Sequence, residues 1–218
     1  MNPAVLILPV ALGLGGVALV VALVRAERKR AEAMAYASQA IGFLYEPEGD
    51  LELLRATADL PLFNRGQGRK VRNLARGRRD EAQVALFDYQ YTVSSGKSSN
   101  TVRQTVVLFP ARGLPDFVLA PENVFHRIGQ LFGYQDIDFE HSPEFSSRYL
   151  LRGTDESAIR AAFGADRLAF FAGERGWMVE SRSGHIGVYR SGKRCKPEEL
   201  HDFLTSAGRV WQVFSSPP

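Results

Sequence analysis

Val84-Ala85-Leu86-Phe87-Asp88-Tyr89-Gln90-Tyr91-Thr92-Val93 and Thr101-Val102-Arg103-Gln104-Thr105-Val106-Val107-Leu108-Phe109 are two runs rich in β-branched and aromatic residues, separated by Ser94-Ser95-Gly96-Lys97-Ser98-Ser99-Asn100. Such residues suit a pleated, half-buried surface, and a polar spacer containing glycine joins two such runs into an antiparallel hairpin. Within the spacer, Gly96-Lys97-Ser98 suggests a phosphate loop. That loop needs a glycine five positions before the Gly-Lys pair, where Tyr91 stands, and a helix after it, where a strand begins.

Working outward, Leu114 to Leu119 reads as a further short strand. Pro121 then opens a helix whose apolar face is Val124, Phe125, Ile128, Leu131 and Phe132, ending at Gly133, with His126 beside that face. Phe145 to Leu151 reads as a strand, and Thr154 or Asp155 caps a helix holding Ile159, Ala162 and Phe163. A second helical piece follows Gly164. Trp177 to Glu180 and His185 to Tyr189 flank Ser183-Gly184, a tight hairpin turn. Pro197 starts a last helix with the stripe Leu200, Phe203, Leu204, Ala207, Val210, Trp211 and Phe214. The elements define an α+β fold: an antiparallel sheet of about seven strands, packed helices and a C-terminal helix. Their order would suit a barrel-like sheet capped by that helix.

At the other end, Ala4 to Val24 carries no charge over twenty-one residues, and Arg25, Arg28, Lys29 and Arg30 follow at once. As a helix this run would reach about 30 Å, a bilayer's hydrocarbon thickness. It is longer than a signal-peptide core and has no basic residue before it, so the expectation is an uncleaved transmembrane helix spanning residues 4–24. Positive charge resists translocation, which predicts the N-terminus outside and residues 25–218 in the cytoplasm of a single-pass protein. Cys195, the single cysteine, fits a reducing compartment. Ala4, Ala11, Gly15, Ala18 and Ala22 lie along one helical stripe, a candidate homodimer contact. The division is therefore an anchor at 1–24, a juxtamembrane helical segment at 25–58 that continues the helix to about Leu44, and an α+β domain at 59–218.

The formal charge is +3 and says little alone, but its excess is local. Arg65, Arg69, Lys70, Arg72, Arg76, Arg78 and Arg79 fall within fifteen residues that contain no acid, with Val71 and Leu74 between them. An edge strand is the expected form, and its charge would deter strand-to-strand aggregation. The same cations, with Arg25, Arg28, Lys29 and Arg30, are candidate contacts for anionic lipid head groups or an acidic protein partner. Nucleic acid ranks below both, because no helix-turn-helix, zinc-finger or RNP-type pattern accompanies the charge.

Asp136-Ile137-Asp138-Phe139-Glu140-His141 alternates acid with apolar. In extended form the three carboxylates would share one side, which also describes any strand with a solvated face. Without EF-hand spacing the run is read as no metal site, and it stands as the locus of an alternative, enzymatic function. The four histidines show no H-E-x-x-H spacing, and neither G-x-S-x-G nor a helix-opening G-x-G-x-x-G occurs, so no catalytic residue and no cofactor is assigned. Arg194 and Lys196 flank Cys195 and could lower its thiol pKa, yet a surface thiol with no role is the simpler reading.

Phe87-Asp88-Tyr89, Gln104-Thr105-Val106, Leu114-Pro115-Asp116-Phe117, Pro121-Glu122, Asp136-Ile137-Asp138-Phe139 and Pro143-Glu144-Phe145, with Tyr149 and Gly153, resemble in their order a family of bacterial proteins with an N-terminal membrane segment. The resemblance covers about residues 60–190. It implies a bacterial cell membrane and brings no activity, cofactor or catalytic residue. The function expected is that of a membrane-tethered binding or scaffold module.

Overall fold

The structure, a computed structural model, describes residues 4–96, 98–124 and 136–215. Its spine is the expected hairpin. Strand β3 (Ala82–Ser95) pairs antiparallel with β4 (Ser98–Pro110) from Ala85↔Leu108 to Ser95↔Ser98. Alternation divides β3: Val84 and Leu86 enter one apolar core, while Phe87, Tyr89 and Tyr91 enter a second on the opposite face. A strand buried on both faces must be covered on both.

Outside β3 lie β2 (Gln67–Arg79) and then β1 (Leu44–Glu46). Beyond β4 come β8 (His185–Tyr189), β7 (Met178–Arg182), β5 (Phe117–Pro121) and β6 (Tyr149–Gly153). The sheet thus has eight antiparallel strands in the order β1-β2-β3-β4-β8-β7-β5-β6. Among the described residues no pairing joins β1 to β6, so the barrel-like closure is corrected to an open sheet. Ser183 and Gly184 make the β7–β8 turn with φ +50° and +77°, the paired left-handed conformations of a type I′ turn.

One face is covered by the end of helix α1 (Ala4–Ala40) and chiefly by α4 (Glu156–Ala162), α5 (Ala165–Gly173) and α6 (Leu200–Ser215), whereas α2 (Leu51–Ala56) packs on the other through Leu53. Here Phe163 meets Phe117, Phe139, Phe145, Phe171 and Phe214 at ring separations of 5.1–6.5 Å. The turn α3 (Pro143–Ser146) supplies Phe145. The other face is sealed by Leu60, Leu62 and Phe63 of the segment after α2. Glu180 of β7 ties that segment down from within the core. It accepts from Leu62 N at 2.7 Å, Arg65 Nη2 at 2.5 Å and Tyr189 Oη at 2.6 Å.

The N-terminal expectation is overturned. Among the described residues no helix is long and apolar enough to cross a membrane. The transmembrane anchor, the single-pass membrane location and the orientation derived from it fall together. The helix also ends earlier than expected. Phe43 N donates to Ser38 O and Gly42 N to Gln39 O, and Gly42 takes φ +77°, so a left-handed glycine cap returns the chain into β1.

Further boundaries differ. Arg65–Arg79 does not form a full edge strand, because β1 pairs with Leu74, Ala75 and Arg76; the stretches of β2 before and after that pairing have no strand on their outer side among the described residues. Pro121 closes β5 rather than opening a long helix, and a 3₁₀ turn covers Glu122–Val124. The rest of that expected helix, with His126, lies outside the described residues, as does Lys97.

Candidate anion-binding strip

The fold separates the eleven candidate cations into those it consumes and those it leaves free. Arg65 is buried against Glu180. Burial alone would lower its pKa, but the Tyr189 and Glu180 charges raise it overall. Arg69 donates to Phe63 O, and Arg76 pairs with Glu46 at 2.8 Å and also with Asp50. Arg78 reaches Glu81 at 3.3 Å, and Arg79 reaches Thr205 Oγ1 at 3.3 Å. Arg30 forms a fork with Asp88, Nε to Oδ2 at 2.7 Å and Nη2 to Oδ1 at 2.9 Å. Lys70 and Arg72, with Arg25, Arg28 and Lys29 on α1, are exposed and have no ion-pair partner among the described residues.

Asp88 is the hub that seats α1. Besides Arg30 it accepts from Asn73 Nδ2 at 2.8 Å and Thr105 Oγ1 at 2.8 Å, while Thr105 Oγ1 accepts from Cys195 N at 2.9 Å. Arg30 Nη2 also donates to Cys195 O at 2.9 Å, and Tyr45 Oη donates to Asn73 Oδ1 at 2.8 Å. Desolvation works against the Arg30 charge, but the hydrogen bond and charge of Asp88 more than offset it, and its pKa is raised. One turn away, Arg194 holds Glu27 at 2.9 and 3.0 Å.

The strand register shows what this hub leaves over. Lys70 lies opposite Gln90, which lies opposite Arg103; Arg72 lies opposite Asp88, which lies opposite Thr105. Lys70, Arg72 and Arg103 therefore share the α1 side of β2-β3-β4, and Arg103 too is exposed. Of the carboxylates around the strip, Asp88 and Glu27 are engaged by Arg30 and Arg194 and Asp50 by Arg76, while Glu48 on the outer side of β2 has no ion pair among the described residues. Composition around 65–79 could not reveal Arg103; the cross-strand alternation of the quoted hairpin is the signal that finds it.

Two depressions flank the strip. On the outer side of β2 an open cleft of about 380 Å³ is lined by Pro47, Glu48, Asp50, Arg69, Lys70 and Arg72. On the α1 side a crevice of about 10 Å³ runs among Glu27, Lys70, Arg72, Asp88, Gln90 and Arg103. That is room for roughly one water, so an anion would lie over the strip rather than sink into it.

The acidic run has a structural task. Residues 136–139 are extended but form no strand. Ile137 N donates to Leu151 O at 2.8 Å and Asp136 Oδ1 accepts from Leu151 N at 2.9 Å, which covers the free edge of β6. Burial raises the Asp136 pKa, the Leu151 hydrogen bond opposes this, and the Asp138 charge adds to it. Ile137 and Phe139 are buried, Asp138 and Glu140 exposed, and the His141 ring lies edge-on to Phe139 at 5.7 Å. Among the described residues no group of three or more His, Cys, Asp or Glu side chains converges on a point that could hold a metal ion. Cys195 departs from expectation. It is buried, and desolvation, aided by the Glu199 charge, pushes its pKa up to about 12 despite Arg30 nearby.

The fold defines an open, two-sided antiparallel α+β sheet with a long N-terminal helix latched to one face. No family model and no curated protein matches the chain. Among solved structures it is similar to the crystal structure of the mycobacterial trehalose monomycolate transport factor A, TtfA. The TM-score is 0.61 at 13% identity, over 88% of this chain and 97% of that one. At that identity the likeness is one of fold.

Proposed function

We propose that the protein is a binding or scaffold module that engages an anionic partner through Lys70, Arg72 and Arg103. The observation that carries this reading is selective pairing: the fold ties up Arg30, Arg65, Arg76, Arg78 and Arg194 with carboxylates and leaves three neighbouring cations on one sheet face without an ion pair among the described residues. Unpaired cations held on a sheet steer and orient acidic partners more than they stabilise the fold. The fold neighbour is titled a transport factor, which accords with an accessory role and adds nothing about the ligand. Arg25, Arg28 and Lys29 extend the basic surface onto α1.

The test is titration of the whole protein with fluorescent poly-L-glutamate across a salt series. Binding should weaken as salt rises, and charge reversal at Lys70 and Arg72 should reduce affinity at least tenfold with an unchanged circular dichroism spectrum. Equal binding by the reversed protein would sink the proposal.

A further inference from the structure

We propose that the row Lys70–Gln90–Arg103, with Arg72 beside it, receives a phosphoryl group, carried by a soluble phosphate ester or a lipid head group. This rests on the binding reading and names the chemistry of its ligand. Neighbouring strands stand about 4.8 Å apart, so the Cα atoms of Lys70 and Arg103 are separated by roughly 10 Å, with Gln90 midway between them. Arg72 follows Lys70 two residues along the same strand, about 7 Å away. Long lysine and arginine stems rooted at these points can converge above Gln90, whose side-chain amide supplies neutral donors.

The charge count selects the ligand. A phosphoryl monoester carries about −1.5 to −2 near neutral pH and offers three acceptor oxygens, while a single carboxylate carries one charge. Three cations outnumber Glu48, the carboxylate in the outer cleft with no ion pair among the described residues, and match the former; a guanidinium reads it with two parallel hydrogen bonds. Asp88, which lies opposite Arg72 on the same face, cannot intrude, because Arg30, Asn73 and Thr105 fix both of its oxygens. The crevice beneath admits about one water, so the group is met on its surface and the rest of the ligand is free to leave toward solvent.

The experiment is calorimetric titration of the full chain at low salt with pyrophosphate, and separately with short-chain phosphatidic acid below its micellar concentration. Binding of pyrophosphate, weakened at least tenfold by Lys70→Ala or by Arg103→Ala and unchanged by Arg209→Ala on the exposed side of α6, is the expected result. Equal affinity for both probes assigns the soluble ester as sufficient, and a gain with phosphatidic acid assigns the lipid head group; either supports the site. Three exposed side chains are at issue, so the variants should keep the wild-type circular dichroism spectrum. Poly-L-glutamate binding with no pyrophosphate binding would overturn the phosphoryl site while leaving the broader reading intact. Pyrophosphate binding indifferent to both Lys70→Ala and Arg103→Ala would overturn it as well.

Discussion

Asp88 accepts four hydrogen bonds, two of them from one guanidinium, and through them a helix is fastened to a sheet. Removing one member of such a nearly buried pair strands the other. Arg30→Ala should therefore cost about 3 kcal/mol, measured as a lower midpoint in urea, and Arg30→Lys should recover only part of it because an ammonium cannot fork. Asp136 behaves in the opposite sense. Its pKa is raised on folding, so the native state holds the proton more tightly than the unfolded chain. Its contribution is then greatest at low pH and is lost as pH rises through the folded pKa. Asp136→Asn keeps an oxygen for Leu151 N and should be neutral or stabilising at pH 7, whereas Asp136→Ala should lose about 1–3 kcal/mol by orphaning that amide. Urea unfolding of both variants at pH 5 and pH 7 checks the sign. Cys195, with its pKa near 12, should resist thiol reagents at pH 8 until urea unfolds the chain.

At the scale of elements, the hairpin was the most legible part of the sequence, since two runs of alternating residues left few other ways to be buried. The Ser183-Gly184 turn was legible for the same reason: both residues tolerate a left-handed backbone. The end of α1 was not, because Ile41, Phe43 and Leu44 continue a helical apolar pattern while Gly42 breaks it by conformation alone. Phe43 in fact packs on Gly77 of β2, where an added Cβ would stand 2.3 Å from the ring. Gly77→Ala should thus displace Phe43, weaken the α1–β1 corner and lower the thermal midpoint, whereas Gly192→Ala, with nothing within 4 Å of an added Cβ, tests only the cost of its positive φ. The acidic run misled for a different reason. Alternation predicted correctly which residues are buried, but it could not tell a strand from an extended segment capping another strand's edge.

For the whole molecule, a count of charges in sequence overstates the basic surface. Arg65 and Arg76 neutralise acids distant in the chain, Arg69 and Arg79 are taken up by a carbonyl and a hydroxyl, and no local pattern foretells that Arg65 meets Glu180 or that Arg30 meets Asp88. What remains, Lys70, Arg72 and Arg103, became visible only when the register set β2, β3 and β4 side by side. The N-terminal run misled at this scale too: among the described residues no helix is long and apolar enough to cross a membrane. The most direct measurement of the central claim is an amide chemical-shift map of the isotope-labelled full chain during pyrophosphate titration. The account predicts saturable shifts centred on Lys70, Arg72, Gln90 and Arg103, abolished by Arg103→Ala. Shifts centred instead on Arg25 to Lys29, or shifts that survive Arg103→Ala unchanged, would contradict it.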